Sequence, residues 1–189
     1  MELFLVRHGQ TDWNVLEKLQ GKTDIELNNV GKQQAETTRE LIKNEKFDLI
    51  ITSPLRRAKE TACIINKELN IQIIEDKRLM ERGFGELEGK NNDEMESIRE
   101  KSPEVDEIWN YNKNSGIYNV EKLKDFCGRI YEFLDEIIEK YNDKKVLVVA
   151  HGGTSVIVKC YFMKYPLEKF TGRYEIKGLK NCEVARFEV

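Results

Sequence analysis

Leu3-Phe4-Leu5-Val6-Arg7-His8-Gly9 is the stretch that decides the fold: an apolar run that stops at a cation, an imidazole and a glycine. Large apolar residues in succession, bounded by Gly9 and the polar Gln10-Thr11-Asp12, read as a short strand buried on both faces, as in a parallel sheet. Its reactive groups then sit at the strand's carboxyl end, where open α/β sheets bind ligands. The chain has only two histidines, and the second repeats the setting of the first: Val146-Leu147-Val148-Val149-Ala150 runs into His151-Gly152-Gly153. Two such strands side by side would bring both imidazoles into one crevice. A lone histidine at a strand end is ordinarily a satisfied structural group. Two in the same setting, each followed by glycine and one preceded by arginine, read as functional.

Working outward, Gln10 to Asn14 is a polar loop able to fold over the strand end, and Asn14 carries an amide that can bind a phosphate oxygen. After the Gln20-Gly21-Lys22-Thr23-Asp24 loop, Asn28 is an N-cap for a helix reaching about Lys43, with Val30, Gln34, Leu41 and Ile42 as its expected buried stripe. Residues 47–53 read as a second parallel strand, with Ser53 as the cap and Pro54 as the first residue of the following helix. Arg56 and Arg57 then fall on that helix's first turn, where cations oppose the macrodipole by roughly 0.3–1 kcal/mol each and an anion would relieve them. Arg56 is expected to point into the site and Arg57 outside it.

A third strand, Ile71 to Ile74, leads into Leu79 to Gly89, a glycine-rich loop offering Glu81, Glu86 and Glu88 as acids. A carboxyl group beside a bound phosphate has its pKa raised by like charge, as a general acid needs. Residues 90–122 lack clear periodicity and are expected to form an insertion covering the crevice. From Lys122 to Tyr141, Leu123, Phe126, Ile130, Phe133, Leu134, Ile137 and Tyr141 recur at spacings of three and four, a buried helical stripe. A helix over about 154–162 follows His151, and Cys182 to Val189 alternates as an edge strand should, leaving a homodimer open through that edge.

A chain of 189 residues suits one domain, here 1–189 with the insertion inside it. Hydrophobic residues at 40% with no apolar run near 18 residues argue against a membrane span. No basic leader precedes the first strand, so no signal peptide is expected. Four scattered cysteines without a CxxC suggest neither a zinc site nor a disulfide framework, and a reducing cytoplasm fits them. A net charge of −3 gives no overall attraction for nucleic acid. Two histidines without a carboxylate cluster fall short of a catalytic zinc site. Ser53, the obvious hydroxyl nucleophile, precedes proline and lacks an evident base. Arginine forks, an amide, two imidazoles and an acid suit phosphoryl transfer instead, with a neutral His8 nitrogen as nucleophile.

Val6 to Thr11 with Asn14, Ser53 to Thr61, Leu79 to Gly89 and His151-Gly152-Gly153, in that order, resemble the successive signatures of the histidine phosphatase superfamily, the phosphoglycerate mutase-like group. The resemblance implies a three-layer α/β/α sandwich with a mostly parallel central sheet. It implies His8 as phosphate acceptor, Arg7, Arg56, His151 and Asn14 as the phosphate pocket, and Glu81 as proton donor and later base for water. Gly9, Gln20 and Gly152 join Asn14 as substrate-binding positions, and neither metal nor cofactor is implied. Two departures stand out. Leu87 occupies a position where the family often has tryptophan, and Asn119-Val120-Glu121-Lys122 replaces the usual Gly-Gly-Glu-Ser while keeping Glu121 and Arg129. In length and wording the chain is similar to the small phosphatases, α-ribazole phosphatase among them. The expectation is therefore a metal-independent phosphomonoesterase acting on a small phosphorylated metabolite such as α-ribazole 5′-phosphate. A 2,3-bisphosphoglycerate-dependent mutase and a non-catalytic phospholigand-binding protein are the alternatives.

Overall fold

The computed structural model describes residues 1–113, 116–170 and 176–188. In chain order it contains β1 (Glu2–Arg7), α1 (Asp12–Val15), α2 (Asn29–Ile42), β2 (Leu49–Thr52), α3 (Arg56–Asn66), β3 (Ile73–Glu75), α4 (Asn92–Lys101), α5 (Leu123–Lys140), β4 (Lys145–Ala150), α6 (Gly152–Phe162) and β5 (Val184–Glu188). The strands form one sheet in the order β3-β2-β4-β1-β5, parallel except where β5 runs antiparallel to β1 at the edge. Val189, the last residue of the expected edge strand, lies outside the described residues.

Strand alternation sorts the apolar residues between two faces. Leu3 and Leu5 of β1, Leu49 and Ile51 of β2, and Val146, Val148 and Ala150 of β4 pack with Phe126, Ile130, Phe133 and Leu134 of α5 and Ile157 of α6. Their neighbours Phe4, Val6, Ile50, Leu147 and Val149 pack with Ile42 of α2 and Ala58, Ala62 and Ile65 of α3. The result is the expected three-layer α/β/α sandwich. Each fully buried large aliphatic contributes roughly 1.5–3 kcal/mol, so the two faces anchor the sheet firmly.

The parallel register pairs Arg7 with Ala150, and the His8 amide donates to the Ala150 carbonyl at 2.9 Å. His8 and His151 therefore leave adjacent strands side by side, their ring centroids 5.2 Å apart.

Three local expectations need correction. In α2, Asn28 does cap the helix through Gly31 N–H, but Val30 and Leu41 are exposed and the buried face is Gly31, Ala35, Thr38 and Ile42. Small residues are needed there because α2 lies against the loop after β1: a Cβ on Gly31 would stand 2.1 Å from the Gln10 carbonyl oxygen, and one on Gly9 2.4 Å from the Gly31 oxygen. Half-buried Gln34 keeps its place by accepting from Gln10 N–H. Next, α3 begins at Arg56 rather than Pro54, and Ser53 makes a different bond, described below. Finally, Tyr141 lies just past the end of α5 and is only half-buried, while the other six residues of its stripe are buried.

The described residues between 90 and 122 form one short α-helix and 3-10 turns, called the cap below. Asn91 and Glu94 form a capping box at the start of α4, and a 3-10 segment, Pro103–Trp109, returns from it. Met95, Val105, Ile108 and Val120 pack with Phe84 and Leu87 in a third apolar cluster. Leu87, 1% exposed, fills that cluster where a tryptophan would be larger. Among the described residues no helix is long and apolar enough to cross a membrane.

Candidate active site

At the carboxyl end of β1 and β4 a cavity of about 200 Å³ is lined by Arg7, His8, Asn14, Gln20, Arg57, Glu81, Gly152 and Gly153, with Lys18, Leu19, Gly21 and Phe84 completing it. His8 is 2% exposed, and its Nδ1 lies 2.7 Å from the Gly9 carbonyl oxygen. A carbonyl only accepts, so Nδ1 carries the proton and Nε2 keeps its lone pair. Burial, reinforced by the positive charges of Arg57 and Arg7, holds this imidazole well below its ordinary pKa. The group is thus a neutral nitrogen base with a fixed tautomer. Gly9 N–H in turn donates to Thr61 Oγ1 at 3.0 Å, tying the turn after β1 to α3.

His151, fully buried, places Nε2 2.7 Å from Ser53 Oγ. It too is held well below its ordinary pKa, by burial first and then by Arg57, His8 and Arg7. Its Nδ1 is buried without a protein partner among the described residues, and the same is true of Arg7 Nε, Arg57 Nε and Gln20 Oε1. Buried polar groups are almost always paired, so unpaired donors around one cavity need an explanation. Around His8 they come from three separate parts of the chain.

The arginines are held by backbone carbonyls rather than by acids. Arg7 Nη1 donates to Leu179 O at 2.9 Å; Arg57 Nη1 and Nη2 donate to Thr23 O at 2.9 Å and Gly21 O at 2.7 Å. Burial lowers the Arg57 guanidinium to about 10, which leaves it charged at neutral pH. Among the described residues no direct salt bridge neutralises their charge, which remains available to an anion. Asn14 Oδ1 accepts from Thr11 N–H and Oγ1, and Asn181 Nδ2 bonds both the His8 carbonyl and Asn14 Oδ1. That arrangement leaves the Asn14 amide nitrogen as a donor at the cavity wall.

Of the three candidate acids, only Glu81 belongs to this cavity. Its Oε1 accepts from Arg82 N–H at 2.9 Å and its Oε2 from Gly153 N–H at 2.8 Å, at the amino end of α6. A Cβ on Gly153 would stand 2.5 Å from Glu81 Oε1, so any side chain there would push the carboxylate from its present position. Glu88 is consumed by the amides of Lys22, Thr23 and Phe84, and Glu86 accepts from Asn119 at the surface.

Arg7, His8, Gly9, Asn14, Gln20, Glu81, His151 and Gly152 all lie at or directly beside this cavity, as the sequence places them. Arg56 does not. Its side chain is exposed and pairs with Glu26 at 2.7 Å, while Arg57 is fully buried and lines the cavity. Successive helical residues diverge by about 100°, and Arg57 shares its face with Thr61 and Ile65, which are buried, whereas Arg56 shares its face with Lys59, Glu60 and Cys63. The anion expected at this helix start is internal: Asp24 Oδ1 accepts from Arg56 N–H at 2.7 Å. Sequence reasoning also missed Gly153 as the Glu81 partner and Asn181 as the clasp on His8 and Asn14. Gly153 had a signal in the doubled glycine after His151, whereas nothing in the sequence around Asn181 pointed to this site. Among the described residues no group of three or more His, Cys, Asp or Glu is placed to hold a metal ion.

The profile of the histidine phosphatase superfamily (branch 1) matches residues 3–189. The chain belongs to that superfamily. Across 149 residues it is 43% identical to a Bacillus subtilis protein described as the uncharacterized phosphatase PhoE, covering 78% of this chain and 70% of that one. It is 36% identical over 159 residues to phosphoglycerate mutase-like protein 4 of Arabidopsis thaliana, covering 80% and 66%. The solved structure of Bacillus stearothermophilus YhfR superposes with a TM-score of 0.84 at 31% identity, covering 100% of this chain and 91% of the other. The protein is an enzyme of the phosphatase type within this superfamily.

Proposed function

We propose that this phosphatase hydrolyses phosphomonoesters through a covalent phosphohistidine on His8. The observation that carries the reading is the set of unpaired buried donors, Arg7 Nε, Arg57 Nε and His151 Nδ1, gathered around a neutral imidazole whose Nε2 is unprotonated. A phosphoryl group is the anion that such donors satisfy, since guanidinium forks neutralise its oxygens and hold phosphorus in line for attack. For His151 to donate from Nδ1, Ser53 Oγ must donate to its Nε2, a direction open to a hydroxyl at 2.7 Å.

In the first step His8 Nε2 attacks phosphorus and the bond from phosphorus to the ester oxygen breaks. The Glu81 carboxyl gives its proton to that leaving oxygen, and the alcohol departs. A water oxygen then attacks phosphorus, the P–N bond breaks, and the Glu81 carboxylate takes the water proton. The balance is ester plus water to alcohol plus phosphate, with His8 and Glu81 restored. Arg7 and Arg57 stabilise the charge on the transferring oxygens, worth several kcal/mol where donors are already oriented. Asn14, Gln20 and the Gly152 backbone complete the wall, and Gly9 fixes the His8 tautomer.

Rapid quench with a substrate labelled in its phosphoryl group tests this. The expected result is an acid-labile, base-stable phosphoprotein whose label maps to His8. Label on any other side chain, or a steady state with no phosphoprotein at any time, would sink the nucleophile assignment. The same assay with 3-phosphoglycerate and catalytic 2,3-bisphosphoglycerate should release phosphate rather than isomerise the substrate.

A further inference from the structure

A second cavity, also about 200 Å³, opens beside the first and shares Glu81, Phe84 and Gly153 with it. Its wall is otherwise Arg82, Trp109, Leu123, Phe126, Val156, Ile157 and Phe170. These apolar side chains come from two clusters: Leu123, Phe126, Ile157 and Phe170 belong to the sheet-side core, and Phe84, with Trp109 packed on it, to the cap. The cavity thus lies at the seam between cap and core, next to the proposed proton donor, which is where the alcohol portion of an ester must sit. Pockets of this kind select by apolar contact with few polar groups.

Arg82 is the only cation among the described wall residues, and it is already engaged. Its Nε donates to Glu121 O at 2.8 Å and its Nη2 to Ile108 O at 2.7 Å, while the guanidinium lies 5.6 Å from the Phe84 ring centre and 5.7 Å from that of Trp109. The remaining nitrogen, Nη1, is buried without a hydrogen-bond partner among the described residues. Lys22 and Arg129, outside the wall, both pair with Glu121.

Resting on the phosphatase reading above, we propose that this seam cavity is the leaving-group subsite and that it selects phosphomonoesters of apolar, ring-bearing alcohols over those of small alcohols. Trp109, Phe126 and Phe170 set the preference. The cap is then a specificity element, with Arg82 acting as the rivet that holds Trp109 and Phe84 in place.

The test compares kcat/KM for ethyl phosphate and 2-phenylethyl phosphate, both esters of aliphatic alcohols, so that an aryloxide leaving group's greater acidity does not decide the outcome. The phenylethyl ester should exceed ethyl phosphate by roughly tenfold or more, the discrimination available to an apolar pocket for even a small apolar group. Trp109→Ala and Phe170→Ala should each narrow the phenylethyl-to-ethyl ratio by several-fold, and the wild-type panel decides the question whether or not those variants fold. Turnover with a flat ratio overturns this proposal and leaves the reaction standing. No turnover of any ester together with a blank phosphoprotein trap removes both.

Discussion

The ends of β1 and β4 carry the same sequence, an apolar run into His-Gly, yet the two imidazoles are wired in opposite senses. His8 spends Nδ1 on a backbone carbonyl and keeps Nε2; His151 spends Nε2 on a side-chain hydroxyl and keeps Nδ1. A carbonyl leaves no choice of proton position, so His8 is fixed as a nitrogen base. A hydroxyl can donate or accept, so His151 is able to present a donor to bound phosphate. On the proposed reading, an apolar run into His-Gly supplies a nucleophile at one strand end and an oxygen-binding donor at the other, according to the partner that the rest of the chain provides.

The largest expected effect breaks that pairing directly. His8→Ala removes the attacking atom and should lower kcat by on the order of 10⁴-fold or more, with no labelled phosphoprotein. His151→Ala removes one oriented donor and should lower kcat by roughly 10²–10³-fold while still forming the phosphoprotein. Equal losses, or label retained in the His8 variant, would show that the two rings are not divided in this way.

The next effect sharpens the same contrast on α3. Arg57→Ala should reduce kcat/KM by on the order of 10²-fold, because it removes a buried charge at the cavity together with its carbonyl contacts. Arg56→Ala breaks only an exposed ion pair with Glu26 and should leave kcat/KM within roughly twofold. Steady-state kinetics on both variants, with thermal melts to separate misfolding from lost chemistry, would refute the placement if Arg56 proved the costlier.

The layers of the sheet were legible in the sequence because buried parallel strands are written as unbroken apolar runs, and the α5 stripe because seven large side chains repeat at helical spacing. The buried face of α2 was not legible, since it consists mainly of Gly31, Ala35 and Thr38, residues that carry little hydrophobic signal, and of these Gly31 is demanded by close approach to the loop after β1. The arginine pair was misread for a related reason. The helix start was placed at Pro54 from capping rules, and Ser53, taken for a cap, is in fact committed to His151 across 98 positions of chain. Long-range polar partners of that kind leave no periodic trace. The seam cavity was foreshadowed only as an insertion over the crevice, because its wall draws two or three residues each from the glycine-rich loop, α5 and α6, with Trp109 and Phe170 besides.

The smallest effect concerns both imidazoles together. Each is buried neutral in the folded protein and held well below the value of about 6.5 that it takes in an unfolded chain. Below that value the unfolded chain binds protons that the folded one refuses, so unfolding is favoured progressively as pH falls, and the stability conferred by neutral burial is fully present only above it. Thermal melts should therefore show Tm constant above neutrality and declining from about pH 6.5 downward. Carboxylates such as Asp76, held below their ordinary range beside Arg78, add their own loss only at lower pH, so the first part of the decline isolates the histidines. His8→Gln and His151→Gln should each flatten that first part. Because the two rings lie close enough for His8 to depress His151, His8→Gln should also let His151 protonate at higher pH, making the two effects less than additive once the folded protein itself begins to take up protons. Strict additivity in the double variant would mean that the strand ends, though adjacent, titrate as strangers.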